Sequence, residues 1–266
     1  MLVSMKDLKD YAIGATDGSI GHVKDFLFDD EAWVIRYFVV ETGTWLSSRQ
    51  VLISPIAVDQ PNWEKKILSA SITREQVKNS PDIDTHKPVS RQHEISYVRY
   101  YGYSDYWSGA GLWGGGMYPY GLVPGYAGNG AGCSGFGDAD KAHRRVERAR
   151  HRDDDPHLRS CEAVTGYYIH AMDGEIGHVS DLLVDERTWS IRYLVVDTSN
   201  WWVGHKVLIS PEWIEEVHWI DQSVSIDLKQ QSVKNAPPYE STEQLNRDRE
   251  INLYRHYNRP GYWSAT

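Results

Sequence analysis

The sequence predicts a mainly β protein with two tandem small antiparallel β-barrel-like domains, each followed by short helical and aromatic-rich segments. Three observations support this fold class. The same order of turns and strands occurs twice along the 266 residues. The predicted strands are short and are separated by turn residues, which is typical of small barrels. Helical patterns follow the strands at the end of each copy.

The internal repeat has an offset of 156 residues and needs no gap. Residues 17–23 (DGSIGHV) return at 173–179 as DGEIGHV, and residues 51–55 (VLISP) return unchanged at 207–211. The match continues to residues 106–108 (YWS), which return at 262–264. We therefore expect one domain at residues 1–108, a linker at 109–156 and a second domain at 157–266.

The first copy begins with a predicted helical turn that Ser4 caps, followed by a strand at 11–15. Asp17-Gly18 predicts a tight hairpin turn at 16–19, because these residues tolerate the positive φ angles of primed turns. A strand follows at 20–28, where the consecutive apolar residues FLF indicate either a bulge or cover on both faces. Acidic residues at 29–31 predict the next turn.

The strand at 33–40 shows the clearest alternation of the chain. Its two faces carry Trp33, Ile35, Tyr37 and Val39, and Val34, Arg36, Phe38 and Val40, respectively. We expect the first face to lie in the core. The second face is apolar towards its end, and the second copy repeats this with Leu194 and Val196. Something is therefore expected to cover the second face.

The remaining elements of a copy are shorter. A strand is predicted at 51–53, ended by Pro55, and a weaker one at 66–72. Thr73 is the predicted N-cap of a helix at 73–79, with Gln76 completing a capping box. A last helix is predicted at 90–101, with Ile95, Val98 and Tyr101 on one face.

The segment between the copies has a different composition. Residues 109–137 are rich in Gly with interspersed Tyr, Trp and Pro, and lack the pattern of a core element. Residues 141–152 are basic and can form a helix, which the acidic run at 153–155 and Pro156 would end. We interpret the whole segment as a linker.

Composition limits the class of function. The net charge of −9 makes nucleic acid an unlikely partner for the whole chain. Cys133 and Cys161 are too few for a disulfide framework or a cysteine zinc site. We expect a cytoplasmic protein without a membrane span, because no signal pattern and no run of about 18 apolar residues occurs. Ser54 lacks a nucleophile elbow and the Gly114 run lacks a phosphate-loop lysine, so neither an enzyme nor a cofactor is expected.

The repeated segments resemble the PRC-barrel domain family. The resemblance rests on DGSIGHVKD, the strand WVIRYFVV, VLISP and TREQVKNSP, whose counterparts occur in the same order in the second copy. It covers about residues 2–80 and 158–237. Members include the cytoplasmic domain of the photosynthetic reaction-centre H subunit and the C-terminal barrel of a ribosome-maturation factor. The resemblance implies a non-enzymatic bacterial protein-interaction or assembly module, and it carries over no catalytic residues.

Several residues are candidates for binding. His22 and His178 occupy equivalent strand positions and could meet at a metal, although exposed strand histidines are the simpler interpretation. Arg144, Arg145 and Arg148 could bind RNA, an acidic protein or anionic lipid, or could form a solvated linker helix. Arg36 is predicted to pair with Asp25 across its hairpin.

The surplus of aromatic residues is the remaining signal. The expected interface residues are the apolar strand face and the loop tryptophans: Phe38, Val40, Leu194, Val196, Trp45, Trp201 and Trp202. Such aromatic residues either seal the open ends of a barrel or form a contact surface. We expect a protein partner or self-association as a homo-oligomer. A ribosome- or RNA-associated role through the linker, and ligand or metal sensing between the domains, are the alternatives.

Overall fold

The computed structural model describes residues 1–59, 61, 63–81, 89, 91–109, 111–119, 157–198 and 205–264. Within these residues the strands are β1 (Leu2–Ser4), β2 (Ala12–Ala15), β3 (Gly18–Asp29), β4 (Val34–Glu41), β5 (Gln50–Ile53), β6 (Ile67–Ser69), β7 (Leu158–Ser160), β8 (Tyr168–Ala171), β9 (Gly174–Asp185), β10 (Ile191–Asp197), β11 (Lys206–Ile209), β12 (Ile214–His218) and β13 (Ser223–Ile226). The α-helices are α1 (Met5–Leu8), α2 (Arg74–Lys78), α3 (Arg91–Tyr101), α4 (Cys161–Val164), α5 (Gln230–Lys234) and α6 (Arg247–His256). The protein is therefore mainly β, with short helices, as the sequence predicts.

The chain forms two compact units that do not coincide with its two sequence repeats. The first unit contains residues 9–159, and the second unit contains residues 1–8 together with residues 160–266. The sequence had placed the first eight residues with the first repeat and residues 157–159 with the second. Each unit therefore takes its first strand from the sequence of the other repeat.

The first unit has the strand order β5-β4-β3-β2-β6, and β7 is an additional strand that pairs with β3. The second unit has the order β11-β10-β9-β8-β13-β12, and β1 pairs with β9. Strand β2 pairs with β6, and β8 pairs with β13, in parallel. The neighbours along β5-β4-β3-β2 and β11-β10-β9-β8, together with β12 and β13 and with β1 and β9, are antiparallel. Each unit thus combines the antiparallel arrangement that the sequence predicts with one parallel pair.

The long strands β3 and β9 organise the two sheets. Strand β9 pairs with β8 through Gly174–His178 and with β1 through Leu183–Asp185. Two short strands thus lie one after the other along a single edge of β9. A long strand needs such additional partners because buried backbone N–H and C=O groups must be hydrogen-bonded.

Local sequence explains the turns and caps. The hairpin between β2 and β3 turns at Thr16–Asp17, and Gly18 has a φ of 144°, which favours glycine. Trp33 has a φ of 53° and donates its N–H to the Asp29 carbonyl, so β4 begins one residue later than predicted. Thr73 caps α2 and forms the predicted capping box with Gln76.

Strand β4 contains a β-bulge at Arg36. Leu27 pairs with Tyr37 and Phe28 with Ile35, which leaves Arg36 as the extra residue. The second unit repeats the bulge at Arg192, between Ile191 and Tyr193. The simple two-face interpretation of this strand fails at the bulge, because the extra residue interrupts the alternation.

Both faces of β4 are buried. Tyr37 and Val39 pack in a cluster with Leu27, Leu52, Val89, Tyr97 and Leu158. Phe38 and Val40 on the other face have no exposed surface, and Phe38 packs edge-to-face on Phe26. Other residues of the same chain therefore cover the second face of β4, which the sequence predicted to need cover.

Helix α3 contacts the core through a different face from the predicted one. Glu94 and Tyr97 are buried, whereas Ile95 is 40% exposed. Val98 and Tyr101 do pack against the core, as predicted. The hydrophobic pattern missed Glu94 because it assigns a charged residue to solvent.

Candidate functional site: the buried glutamate clusters

Each unit contains a buried glutamate surrounded by tyrosine and arginine side chains. In the first unit this is Glu94, in the first turn of α3, with a side-chain exposure of 0%. Its partners come from four separate segments: Tyr37 from β4, Arg91 from α3, Tyr106 from the segment after α3, and His157 just before β7. We call this set the first cluster.

Both carboxylate oxygens of Glu94 are engaged. Oε1 accepts hydrogen bonds from the hydroxyl groups of Tyr37, at 3.3 Å, and of Tyr106. Oε2 lies 3.0 Å from Nη1 of Arg91 and 3.0 Å from Nε2 of His157. A buried carboxylate is costly unless it is paired and hydrogen-bonded, and these four groups meet that requirement.

The bulge residue Arg36 closes the cluster on one side. Its guanidinium group lies 3.8 Å from the ring centre of Tyr106 and 4.9 Å from that of Trp113. Nη2 donates to Asp29 at 3.0 Å and Nη1 donates to the Leu112 carbonyl at 2.5 Å. The Arg36 side chain is 3% exposed, so these contacts replace water almost completely.

The ion pair of Arg36 corrects one prediction. The sequence paired Arg36 with Asp25, whereas the structure shows its ion pair with Asp29. The equivalent pair in the second unit joins Arg192 to Asp185 at 3.7 Å. Asp29 is the last residue of β3, so the ion pair spans the β3–β4 hairpin next to its turn.

The predicted linker contributes to this site. Leu112 and Trp113 lie within the Gly-rich segment, and Trp113 is fully buried. Gly111 and Gly114 form an isolated β-bridge next to it. Leu112 and Trp113, which the sequence assigns to the linker, therefore pack against Arg36 of the first unit.

The environment shifts the pKa values of the cluster. Burial, together with the charge of Glu94, raises the pKa of Tyr37 and of Tyr106 well above the usual value of 10. Both tyrosines therefore remain neutral hydrogen-bond donors at physiological pH. Burial alone would lower the pKa of His157, but the hydrogen bond and charge of Glu94 outweigh it, and the pKa of His157 rises above 6.5.

The second unit contains an equivalent cluster around Glu250. Oε1 of Glu250 accepts from Tyr193 at 2.8 Å and from Tyr262 at 2.9 Å, and Oε2 lies 3.1 Å from Nη1 of Arg247. Arg192 lies over the Tyr262 ring at 4.3 Å. These residues are offset from their counterparts by the repeat distance, so the cluster is a property of the repeat.

The two clusters differ at one position. The residue equivalent to His157 is Met1, which cannot ion-pair with a glutamate through its side chain. The Arg247 side chain is also 50% exposed, whereas that of Arg91 is 14% exposed. The first cluster is thus more enclosed and carries one more ionisable group.

With this geometry in place, comparison with known proteins identifies the fold family. A family model described as the PRC-barrel domain matches residues 3–75 and 166–229, slightly more than half of the chain. The chain belongs to the PRC-barrel family. The first match begins inside β1, so the family pattern includes a strand that lies in the second unit.

One relative extends the comparison. An uncharacterized protein of Deinococcus radiodurans is 37% identical over 68 residues, which are 26% of this chain and 24% of that protein. This PRC-barrel chain therefore spans about a quarter of the length of that relative. The relative's description names no activity.

The clusters of this PRC-barrel protein can hold the fold together, and their geometry favours that role. Glu94 and Glu250 are buried and are already engaged by tyrosine and arginine donors. A general acid or base must instead reach the proton that it transfers on a substrate. The tyrosine hydroxyl groups donate to the glutamates and remain protonated.

The predicted interface residues lie mostly in the interior. Phe38, Val40, Leu194 and Val196 are all 0% exposed. This corrects the expectation that they lie on a surface open to a partner molecule. Trp45 is half-buried; its indole N–H donates to the Ile20 carbonyl at 2.6 Å, and Arg74 lies 4.2 Å from its ring centre.

The other predicted binding residues lie apart from the clusters or outside the described residues. His22 is exposed on β3 and His178 is half-buried on β9. Among the residues that the structure describes, no group of three or more His, Cys, Asp or Glu side chains is placed to hold a metal. The predictions for Trp201, Trp202, Arg144, Arg145, Arg148 and Cys133 fall outside the described residues.

Cys161 is buried at the start of α4. In the described part of the chain, no helix is both long enough and apolar enough to cross a membrane.

Our predictions from the sequence missed the glutamate clusters, although the internal repeat contained a signal for them. Glu94 and Glu250, Tyr106 and Tyr262, and Arg91 and Arg247 are identical pairs at the repeat offset.

Proposed function

We propose that this PRC-barrel protein is an assembly module that acts by binding other protein chains or itself, without catalytic activity of its own. One observation carries the proposal. Each compact unit is completed by a strand that comes from the other repeat, β1 in the second unit and β7 in the first. Association between repeats is therefore already part of how this fold is built.

The buried clusters support the same proposal. The groups that could do acid–base chemistry, Glu94 and His157 above all, are bound to each other and to arginine and tyrosine partners. Their removal from water favours a structural role. A protein built in this way is expected to function through its surface.

The second unit has an apolar surface feature that the first repeat lacks. Ile220 is 97% exposed in the turn between β12 and β13, and Tyr168, next to this turn, is 48% exposed. The equivalent positions in the first repeat are Glu64 and Ala12. Exposed aromatic and aliphatic side chains are enriched where proteins bind each other.

The experiment compares the wild type with the double variant Tyr168→Ala, Ile220→Glu. These substitutions copy the first repeat, so the fold is expected to tolerate them. We expect the wild type to self-associate in light scattering or to retain a protein from native extract that the variant retains at least tenfold less. A monomeric wild type that retains no protein, or an equal retention by the variant, would contradict the proposal for this surface.

A further inference from the structure

The exchange of first strands between the two repeats is reciprocal. Residues 2–4 (LVS) and 158–160 (LRS) are equivalent at the repeat offset, and each pairs with the long strand of the other repeat. Strand β1 pairs with β9 in the second unit, and β7 pairs with β3 in the first. The edges of β3 and β9 therefore both accept a strand that is far away in sequence.

The contacts of β1 are those of an integral strand. Leu2, Val3 and Ser4 are in register with Asp185, Val184 and Leu183. The hydroxyl group of Ser4 donates to Asp181 at 2.5 Å, and the Lys6 N–H donates to the same carboxylate at 3.3 Å. We call this edge of β9, with Asp181, the acceptor edge.

The segment also fills part of the core. Val3, Met5 and Leu8 are buried, with exposures of 8%, 6% and 0%. If the segment left, these side chains and their neighbours would be exposed to water. Such a loss is strongly unfavourable unless an equivalent segment takes the same place.

The first unit holds its exchanged strand by comparable contacts. The Asp30 N–H donates to the His157 carbonyl at 3.0 Å, and Nε of Arg159 donates to the Asp30 carboxylate at 2.9 Å. Leu158 is 3% exposed within the core cluster of the first unit. Both repeats thus act as donor and acceptor of a strand.

We propose that the acceptor edge of β9 also takes the β1 segment of a second copy of this chain, giving dimers that are linked by exchanged strands. This deepens the proposed assembly function and rests on it. The partner is a second copy because its residues 1–8 offer the same strand register, the same serine and the same three apolar side chains. Exchange between identical elements is a low-cost route to a dimer, since no new interface has to be created.

Mass action determines when the exchange occurs. The acceptor edge makes the same contacts with β1 of its own chain and with β1 of a second copy. The outcome of this competition therefore depends on the effective concentration of the chain's own segment relative to the concentration of other copies. For short flexible connections that concentration is on the order of millimolar. Exchange between copies is therefore a minor population at micromolar protein, and it increases when copies are concentrated or refolded together.

A disulfide trap detects this population in the full chain. Cys133 and Cys161 are first replaced by Ser; one preparation then carries Val3→Cys and the other carries Val184→Cys. The two preparations are mixed, refolded together at about 0.5 mM protein and oxidised. This protein concentration is near the effective concentration of the chain's own segment. We expect a covalent dimer of one chain of each kind, at least fivefold more abundant than in a mixture of Val3→Cys with Val179→Cys. Val179 is buried on the same strand but pairs with Val196 of β10.

Two further variants keep the outcome clear. A single chain with both Val3→Cys and Val184→Cys must form an internal disulfide, which shows that the geometry allows the bond. Ser4→Cys with Leu183→Cys is the second pair in register and is used if the first pair fails to fold. If the internal disulfide forms but the mixed dimer does not exceed the Val179→Cys control, the proposal is overturned. Wild-type self-association seen by light scattering in that case would leave the assembly function standing and remove only strand exchange.

Discussion

Glu94 occupies an interior position that a carboxylate tolerates because every part of it is paired. Arg91 and His157 contact one oxygen, and Tyr37 and Tyr106 contact the other. Removing the charge from such a group leaves its cationic partners buried without a counter-charge. The stability of the first unit is therefore expected to depend on this one side chain.

Replacing Glu94 by Gln is expected to lower the free energy of unfolding of the first unit by about 3 to 5 kcal/mol. The amide keeps an acceptor for the tyrosines but cannot pair with Arg91 and His157. Urea denaturation, with hydrogen exchange of β3 and β4 amides to identify the unit, measures the effect.

The matched control is Glu250→Gln in the second unit. Arg247 is half-exposed, so water can solvate it when its partner loses the charge, and we expect a smaller loss. If Glu94→Gln and Glu250→Gln lowered the free energy of unfolding equally, burial of the paired arginine would not determine how strongly the substitution destabilises its unit.

His157 gives the first cluster a dependence on pH. Its pKa in the folded protein is raised above 6.5 because the hydrogen bond and charge of Glu94 outweigh the effect of burial. Arg91 opposes this rise and Asp29 supports it. A group with a raised folded pKa stabilises the fold fully below its unfolded pKa and loses that contribution as the pH rises through the folded value.

We therefore expect the stability difference between the wild type and His157→Met to be largest below pH 6.5 and to shrink at higher pH. Methionine is the residue at the equivalent position of the first repeat, so it is a reasonable replacement in this fold. Chemical denaturation of both proteins between about pH 5 and 9 measures the difference. A difference that stays constant over that range would show that the imidazole acts by packing alone.

Strand β7 shows how a short element can stabilise a unit to which its sequence does not belong. Leu158 lies in the second sequence repeat, but it packs with Leu27, Tyr37 and Tyr97 of the first unit. Leu158→Ala is expected to cost about 2 to 5 kcal/mol, because it leaves a cavity in a packed cluster. The measured loss of hydrogen-exchange protection should fall on β3 and β4.

Leu2→Ala is the control for this substitution, since Leu2 is the equivalent residue and is only half-buried. We expect it to cost less, and to affect β9 and not β3. Loss of protection in β9 and β10 on Leu158→Ala would contradict the assignment of β7 to the first unit.

Local sequence was enough to predict most individual elements. The Asp17-Gly18 turn, the cap at Thr73 and the long alternating strands all follow from propensities that act over a few residues. The helix at 91–101 was also predicted, but its buried face was not. Glu94 is buried because Tyr37, Tyr106 and His157 converge on it, and such convergence depends on distant segments that no local pattern reveals.

The exchange of β1 and β7 is a property of the whole chain that the sequence leaves open. Residues 2–4 and 158–160 are equivalent in the two repeats, and so are β3 and β9, so either strand is compatible with either edge. Hydrophobic pattern and register are the same for both pairings. Only the three-dimensional path of the chain decides between them, and the predicted domain limits at 108 and 157 therefore differ from the compact units.

Deleting residues 1–8 provides the strongest test of this exchange in the molecule as a whole. If β1 completes the second unit, the deletion should destabilise β9 and β10, which lie more than 160 residues away in sequence, while β3 and β4 stay protected. Loss of the buried side chains Val3, Met5 and Leu8 is expected to cost at least about 4.5 kcal/mol, since each of the three contributes about 1.5 kcal/mol or more. Hydrogen exchange resolved by peptide measures both units in one experiment, and the undeleted chain is the reference. Loss of protection in β3 and β4 with β9 unchanged would mean that the first repeat keeps its own strand, and that the two repeats fold as the sequence alone suggested.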